Sequence, residues 1–302
     1  LSYLSLPFCT MSIDDSENGI YQWIYQMATS IEDVTAANQA DLTKYAVTLP
    51  EGMTGIEDGA FYNCQSLYSI RLGDSIVSIG AEAFAHCKSL RSIRIPNSVT
   101  HIGDKAFLAC PSLHSIDIGD GIKAIGDQAF QRCPSLRSVR IGNGVTSIGQ
   151  SAFADCKKLT SVSLGSSVKS IGNHAFSNCR SLRAVHLPHS LERIGNRTFY
   201  GCRLIQSIDI PDAVTTIGER AFERCESLRS ITIGRGLSDF GQGVFNGCYA
   251  IESISVDRAN PTFDSREYCN AIIKSSSHIL IVGCKNSTIP SRVAAIGNEA
   301  FS

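Results

Sequence analysis

The chain has 302 residues, a formal charge of −1 at pH 7 and 43% hydrophobic residues, enough for a folded, water-soluble protein of one or two domains. A charge so close to zero argues against a protein built as a whole to bind nucleic acid or an anionic membrane. No apolar run approaches the roughly 20 residues that a transmembrane helix needs, so no membrane insertion is expected.

The chain opens on Leu1 rather than Met, and "LSYLSLPFCT" is compatible with the tail of a secretion signal. Cys9 is a poor lipid anchor, because the residue before it, Phe8, is large where a small one is expected. Residues 1–50 form an N-terminal segment. Its stretch 11–50 holds the single Trp, Trp23, and the polar, helix-compatible "IEDVTAANQADLTKY". The first coil of a stacked repeat exposes its apolar cross-section unless something covers it. Residues 11–50 are read as that cap, with Trp23 in the cap's core.

Residues 51–256 are periodic. Ile56, Ile79, Ile102, Ile125, Ile148, Ile171, Ile194, Ile217 and Phe240 each open a tile, and position i always corresponds to position i+23, which gives nine tiles. The shared pattern is I-G-x-x-A-F-x-x-C-x-S-L-x-S-I-x-I-x-x-x-V. Its apolar positions are too few to close a core within one tile, so neighbouring tiles must stack into a continuous one. The segment L-x-S-I-x-I alternates and is rich in β-branched residues, which predicts a short strand. Stacked strands make a parallel sheet, and the Gly or Pro that follows turns the chain out of it. The segment from Gly to Cys, such as "GDKAFLAC", is too short for a helix of average length. The fold class expected is an α/β-type repeat solenoid: curved, with a parallel β-sheet on one face and a mostly irregular or short helical outer face.

Residues 257–290 interrupt the period as an insertion, since Val256 and Ile289 occupy the same tile position although well over one period separates them. Within it "CNAIIKSSSHILIVGC" reads as strand, Ser-rich turn, strand. Pairing Lys274 with His278 would bring Cys269 near Cys284, where a disulfide is possible. Residues 291–302 start a further tile. The chain ends inside it, so both ends are expected to be cut from a longer protein.

The strand "L-x-x-I-x-I-P" together with "I-G-x-x-A-F-x-x-C" resembles the BspA-like leucine-rich repeat, a bacterial repeat class. The resemblance covers 51–256 and resumes at 289–302. It implies a secreted or cell-surface protein of a host-associated microbe, linked to adhesion and to binding of host proteins. The insertion also resembles a recurrent element of that family and is no sign of a special activity.

Nine Cys recur with the tile, from Cys64 to Cys248. Zinc sites need ligands clustered at short spacing, whereas repetition alone makes a ladder of small buried side chains. Reduced, buried thiols are expected, and no metal. The seven His are scattered, and Pro188 separates the nearest pair, His186 and His189, at a turn. No phosphate loop or Gly-x-Ser-x-Gly elbow appears. Ser is abundant, yet its column (Ser69, Ser92, Ser115, Ser138, Ser161, Ser207, Ser230, Ser253) belongs to the strand pattern, and a catalytic Ser would be singular. Neither an enzyme nor a cofactor is expected.

Function should then lie where tiles differ. The outward columns beside the Ser column place Arg71, Arg91, Arg94, Arg137, Arg140, Arg183 and Arg229 on or beside one face, with Tyr68, His114 and His186. Arg forks suit carboxylates and sulfates. The partner expected is a protein, through a host extracellular or other acidic surface, or else an acidic glycan. Asp117 and Asp209 are partial counter-charges, so mere solubility of the solenoid is the competing explanation. Nucleic acid is not expected, because the aromatic residues that could stack on bases sit mostly in the Phe column. A carbohydrate-binding module or a passive stalk is the alternative function, and the chain is expected to be a monomer.

Overall fold

The computed structural model describes residues 4–6, 9–11, 47–49, 53–65 and 67–301. Trp23 and most of the expected cap lie outside the described residues. Residues Leu4–Leu6 and Cys9–Met11 pair antiparallel.

Each coil contributes two short strands. The main sheet runs in chain order through Val47–Thr48, Ser69–Arg71, Ser92–Ile95, Ser115–Ile118, Ser138–Ile141, Ser161–Ser163 and Ala184–Val185. Strands Ser207–Ile210, Ser230–Ile233 and Ser253–Val256 form a separate three-stranded sheet of the same kind. All pairings in both are parallel and join equivalent positions of adjacent coils, such as Ser92 with Ser115 and Ile93 with Ile116. The alternation predicted from L-x-S-I-x-I holds: Ile93 and Ile95 are buried while Ser92 and Arg94 are exposed. The second ladder was not anticipated. Nine two-residue strands, from Gly55–Ile56 to Asp239–Phe240, form a nine-stranded sheet at the next corner of the coil. Two-residue strands leave no alternation for a sequence pattern to show.

The outer face corrects the α/β expectation. Among the described residues the only helical element is a 3-10 turn at Arg266–Tyr268, inside the insertion. Two residues of nearly every coil are left-handed, for example Glu82 (φ 54°) and His86 (φ 63°), or Lys105 (56°) and Ala109 (54°). A left-handed residue every fourth position cannot continue an α-helix. The segment is instead a run of overlapping tight turns, with Ala85 N–H donating to the Glu82 carbonyl and Cys87 N–H to that of Phe84. The alternate amides, Glu82, Phe84 and His86, donate to the carbonyls of Asp104, Ala106 and Leu108 in the following coil (2.9, 2.7 and 2.8 Å). This one-way pattern repeats along the outer face, so its buried backbone groups are paired without a helix or a regular strand.

The core is a set of columns. Phe61, Phe84, Phe107, Phe130, Phe153, Phe176, Phe199, Phe222 and Phe245 stack with centroids 5.0–5.6 Å apart and rings within 18° of parallel. Beside them run the Leu, Ile and Cys columns, with most members fully buried. Each free ladder thiol donates to the carbonyl of the Phe 26 residues before it, from Cys87 to Phe61 (3.1 Å) through Cys248 to Phe222 (3.1 Å).

In the insertion, Ile272–Lys274 pairs antiparallel with Phe263–Asp264 and with Ile279–Val282. Asn260 anchors its start. Its buried amide donates to the carbonyls of Gly234 and Leu237 and accepts from the amides of Thr262 and Phe263. The hairpin register differs from the one expected. Lys274 faces Ile279 rather than His278, and a bulge at Ile272/Ile273 moves Ile272 opposite Val282. Cys269 and Cys284 are accordingly both free thiols, not a disulfide. Cys269 packs in a small satellite cluster with Ala271, Ile273 and Leu280, whereas Cys284 joins the main core. Each points at a backbone carbonyl, of Ala271 and Asn270 respectively.

Candidate binding surface on the main sheet

The sheet positions the face directly. Residues two apart on a strand share a side, so inward Ile and Val fix Ser and its partner two residues on as the outward pair. Arg71, Arg91, Arg94, Arg137, Arg140, Arg183 and Arg229 are all exposed, as are His114 and His186, and Tyr68 is half-buried. Pairing registers Arg71 against Arg94, Arg94 against Asp117 and Asp117 against Arg140. The preceding column is also in step: Arg91 N–H donates to the Tyr68 carbonyl, His114 to Arg91 and Arg137 to His114. The Arg91 guanidinium lies 4.6 Å from the centroid of the Tyr68 ring, a cation–π contact.

The structure brings Tyr68, Arg71, Arg91 and Arg94 together, with His114 in the next coil, Arg137 and Arg140 in the one after it, and Arg183 with His186 further along. Arg229 stands apart in the three-stranded sheet. Charge compensation divides the same way. Arg140 pairs with Asp117 (Nε–Oδ1 2.7 Å), but Arg71, Arg91, Arg94, Arg137 and Arg183 make no ion pair among the described residues. In the later coils Arg203 meets Glu226 (3.4 Å), and Glu252 meets both Arg229 (3.8 Å) and Lys285 (2.9 Å). The Lys285 hydrogen bond holds the Glu252 carboxyl below its usual range. Lys88, Lys157, Lys158 and Arg180, all exposed in the turns leading into these strands, extend the basic half. Reading the strand columns alone missed them; the signal was the K-x-x-R-x-x-R spacing of Lys88, Arg91 and Arg94 within one coil.

The rungs of the Cys ladder are not all alike. Cys64 is disulfide-bonded, which corrects the expectation that all nine rungs are reduced; Cys87 through Cys248 are free and buried. Burial pushes the Cys87 thiol up to about 12 from an ordinary 9.0, and raises those of Cys156, Cys179 and Cys225. For Cys110 the adjacent Cys133 thiol raises it most, and burial adds to that. Among the described residues no group of three His, Cys, Asp or Glu could hold a metal ion, and no helix is long and apolar enough to cross a membrane.

These shifts carry a pH dependence. A thiol whose folded pKa lies above its unfolded value stabilises the fold fully below the unfolded value and loses that contribution as pH rises toward the folded one. The thiol contribution to denaturant midpoints should therefore be constant up to about pH 8 and be lost between 9.0 and about 12 for Cys87. A thiol reagent at pH 8 should leave the native rungs from Cys87 to Cys248 unlabelled and label them fully in denaturant. Rapid native labelling would show the rungs to be accessible.

The family comparison agrees with this architecture. The model of the BspA type leucine-rich repeat region matches in six copies across residues 29–160 and 146–274. The T. pallidum leucine-rich repeat protein is 30% identical over 53% of this chain and 77% of its own, with a TM-score of 0.50. A leucine-rich repeat protein from Bacteroides ovatus is 26% identical over 70% of this chain and 72% of its own (TM-score 0.41). A leucine-rich cell surface protein from Faecalibacterium prausnitzii is 28% identical over 71% and 61% (TM-score 0.43). No curated protein sequence matches the chain. With the family model spanning well over half of it, the chain belongs to the BspA-type leucine-rich repeat proteins.

Proposed function

We propose that the chain is a non-catalytic recognition module of the cell surface or its surroundings, which binds a partner protein through the outward face of its main sheet. The family is a repeat scaffold rather than an enzyme family, and leucine-rich repeat proteins typically bind proteins. The surface location rests on the family resemblance. The observation that carries the reading is the uncompensated Arg cluster. Like charges directly opposite on neighbouring strands are destabilising, yet Arg71 faces Arg94 with no acid between them. The later coils show that the same scaffold can neutralise its Arg side chains. Solubility alone needs no such clustering.

Binding of the purified chain to an array of host extracellular proteins, at low and physiological salt, tests this. The variant with Arg91, Arg94, Arg137 and Arg140 changed to Ser should lose a protein hit that survives physiological salt, by about tenfold or more. These side chains are exposed, so its thermal midpoint should stay within about 2 °C. Unchanged binding by the variant would leave the repeats a passive stalk.

A further inference from the structure

We infer that the basic half of the main sheet, from the Tyr68 coil to the Arg140 coil, binds a linear sulfated glycan along the solenoid axis. This rests on the reading of the sheet face as a recognition surface, but not on the partner being a protein.

Three observations carry it. The first is shape. Ser69, Ser92, Ser115 and Ser138 stand in one row, in register across the sheet. Longer side chains flank the row on both sides: Tyr68, Arg91, His114 and Arg137 on one, Arg71, Arg94 and Arg140 on the other, where the short Asp117 interrupts the column and pairs with Arg140. Short hydroxyl side chains between two longer columns form a trough that crosses the strands, with strand positions about 4.8 Å apart along it. The second is composition. The large hydrophobic side chains exposed in the described residues are Val77, Tyr249, Tyr268, Ile289, Ile296 and Phe301, none of them on this face. A protein docked on this face would be held by its acids on the Arg forks rather than by a central aromatic or aliphatic anchor. Here Tyr68 is the sole aromatic, and Arg91 already covers it. A floor of hydroxyls offers donors and acceptors at every step to a ligand that is itself rich in hydroxyls. The third is charge. Arg71, Arg91 and Arg94 lack a counter-ion among the described residues and have guanidinium forks that match a sulfate's oxygens in pairs.

The test uses the whole chain on immobilised dextran sulfate, with uncharged dextran and polyglutamate as comparisons. The expected result is binding to dextran sulfate, weaker binding to polyglutamate and none to dextran. Changing Arg71, Arg91 and Arg94 together to Ser should weaken it by about tenfold or more, while Arg229→Ser changes it less than about twofold. Lys at the same three positions keeps the charge but loses the fork, and should bind about threefold or more weaker than the native chain. Equal binding by the Ser or the Lys triple variant, or polyglutamate as good as dextran sulfate, would overturn the assignment. If dextran sulfate fails while an array protein still needs Arg137 and Arg140, the glycan falls and the recognition face stands. Failure of both removes both.

Discussion

Phe153→Ala will cost the protein about 3–5 kcal/mol and split its unfolding into two transitions. Phe153 is fully buried in mid-column, with Phe130 and Phe176 stacked on its two sides at centroid distances of 5.1 and 5.2 Å. Removing the ring leaves a cavity that neither neighbour can fill, because each is held by the next ring in turn. In a solenoid the coils depend on nearest-neighbour interfaces, so a fault in the middle uncouples the blocks on either side. The same change at Phe61, half-buried in the first coil, should cost less and leave one transition. Urea unfolding followed by circular dichroism, with limited proteolysis at intermediate urea, reads both effects. A single transition with an unchanged midpoint in Phe153→Ala would mean that the Phe column is not the spine of the core.

Gly126→Ala should cost about 2–3 kcal/mol, toward the top of the range for overpacking, although it adds one methyl group. The reason is proximity between coils, not backbone freedom: a Cβ at 126 would sit 2.6–2.7 Å from the backbone of Gly103 and Asp104. The chain there cannot swing away, since Gly126 N–H donates to Ile102 and Gly149 N–H reaches back to Ile125. Gly73→Ala is the control. Its nearest neighbour would be the Ser75 hydroxyl at 3.7 Å, and its cost should stay within about 0.5 kcal/mol. Thermal melts of the two variants decide the matter, and equal costs would refute the close-approach account of the Gly column.

Those two columns also mark what could be read from the sequence. Phe and Gly recur once per coil because each coil repeats one packing problem, so the period announced the solenoid, its strand and its buried face. The outer segment was harder. "GDKAFLAC" is rich in residues that favour helix, and propensity carries no sign of the left-handed turns at Lys105 and Ala109; coil-to-coil hydrogen bonds impose them. The hairpin register was misjudged because the turn takes four residues, 275–278, and a bulge beyond it adds a further residue that alternation cannot reveal. The Arg columns were legible as a list, but not which of them are neutralised. That depends on which acids the later coils bring near, as Glu226 and Glu252 show.

The one-way hydrogen bonds of the outer face have an electrical consequence. In an ordinary parallel sheet successive amides point to opposite sides, and their dipoles largely cancel. Here Glu82, Phe84 and His86 and their equivalents through Arg220, Phe222 and Arg224 aim their N–H groups toward later coils. Their peptide dipoles add along the stack, as they do along an α-helix, and give the outer face a positive pole at its late end. The Glu299 carboxylate sits there, accepting from the Asn246 amide at 2.9 Å and lying beside Gly243. The solenoid thus carries a polarity along its length that its net charge of −1 does not disclose.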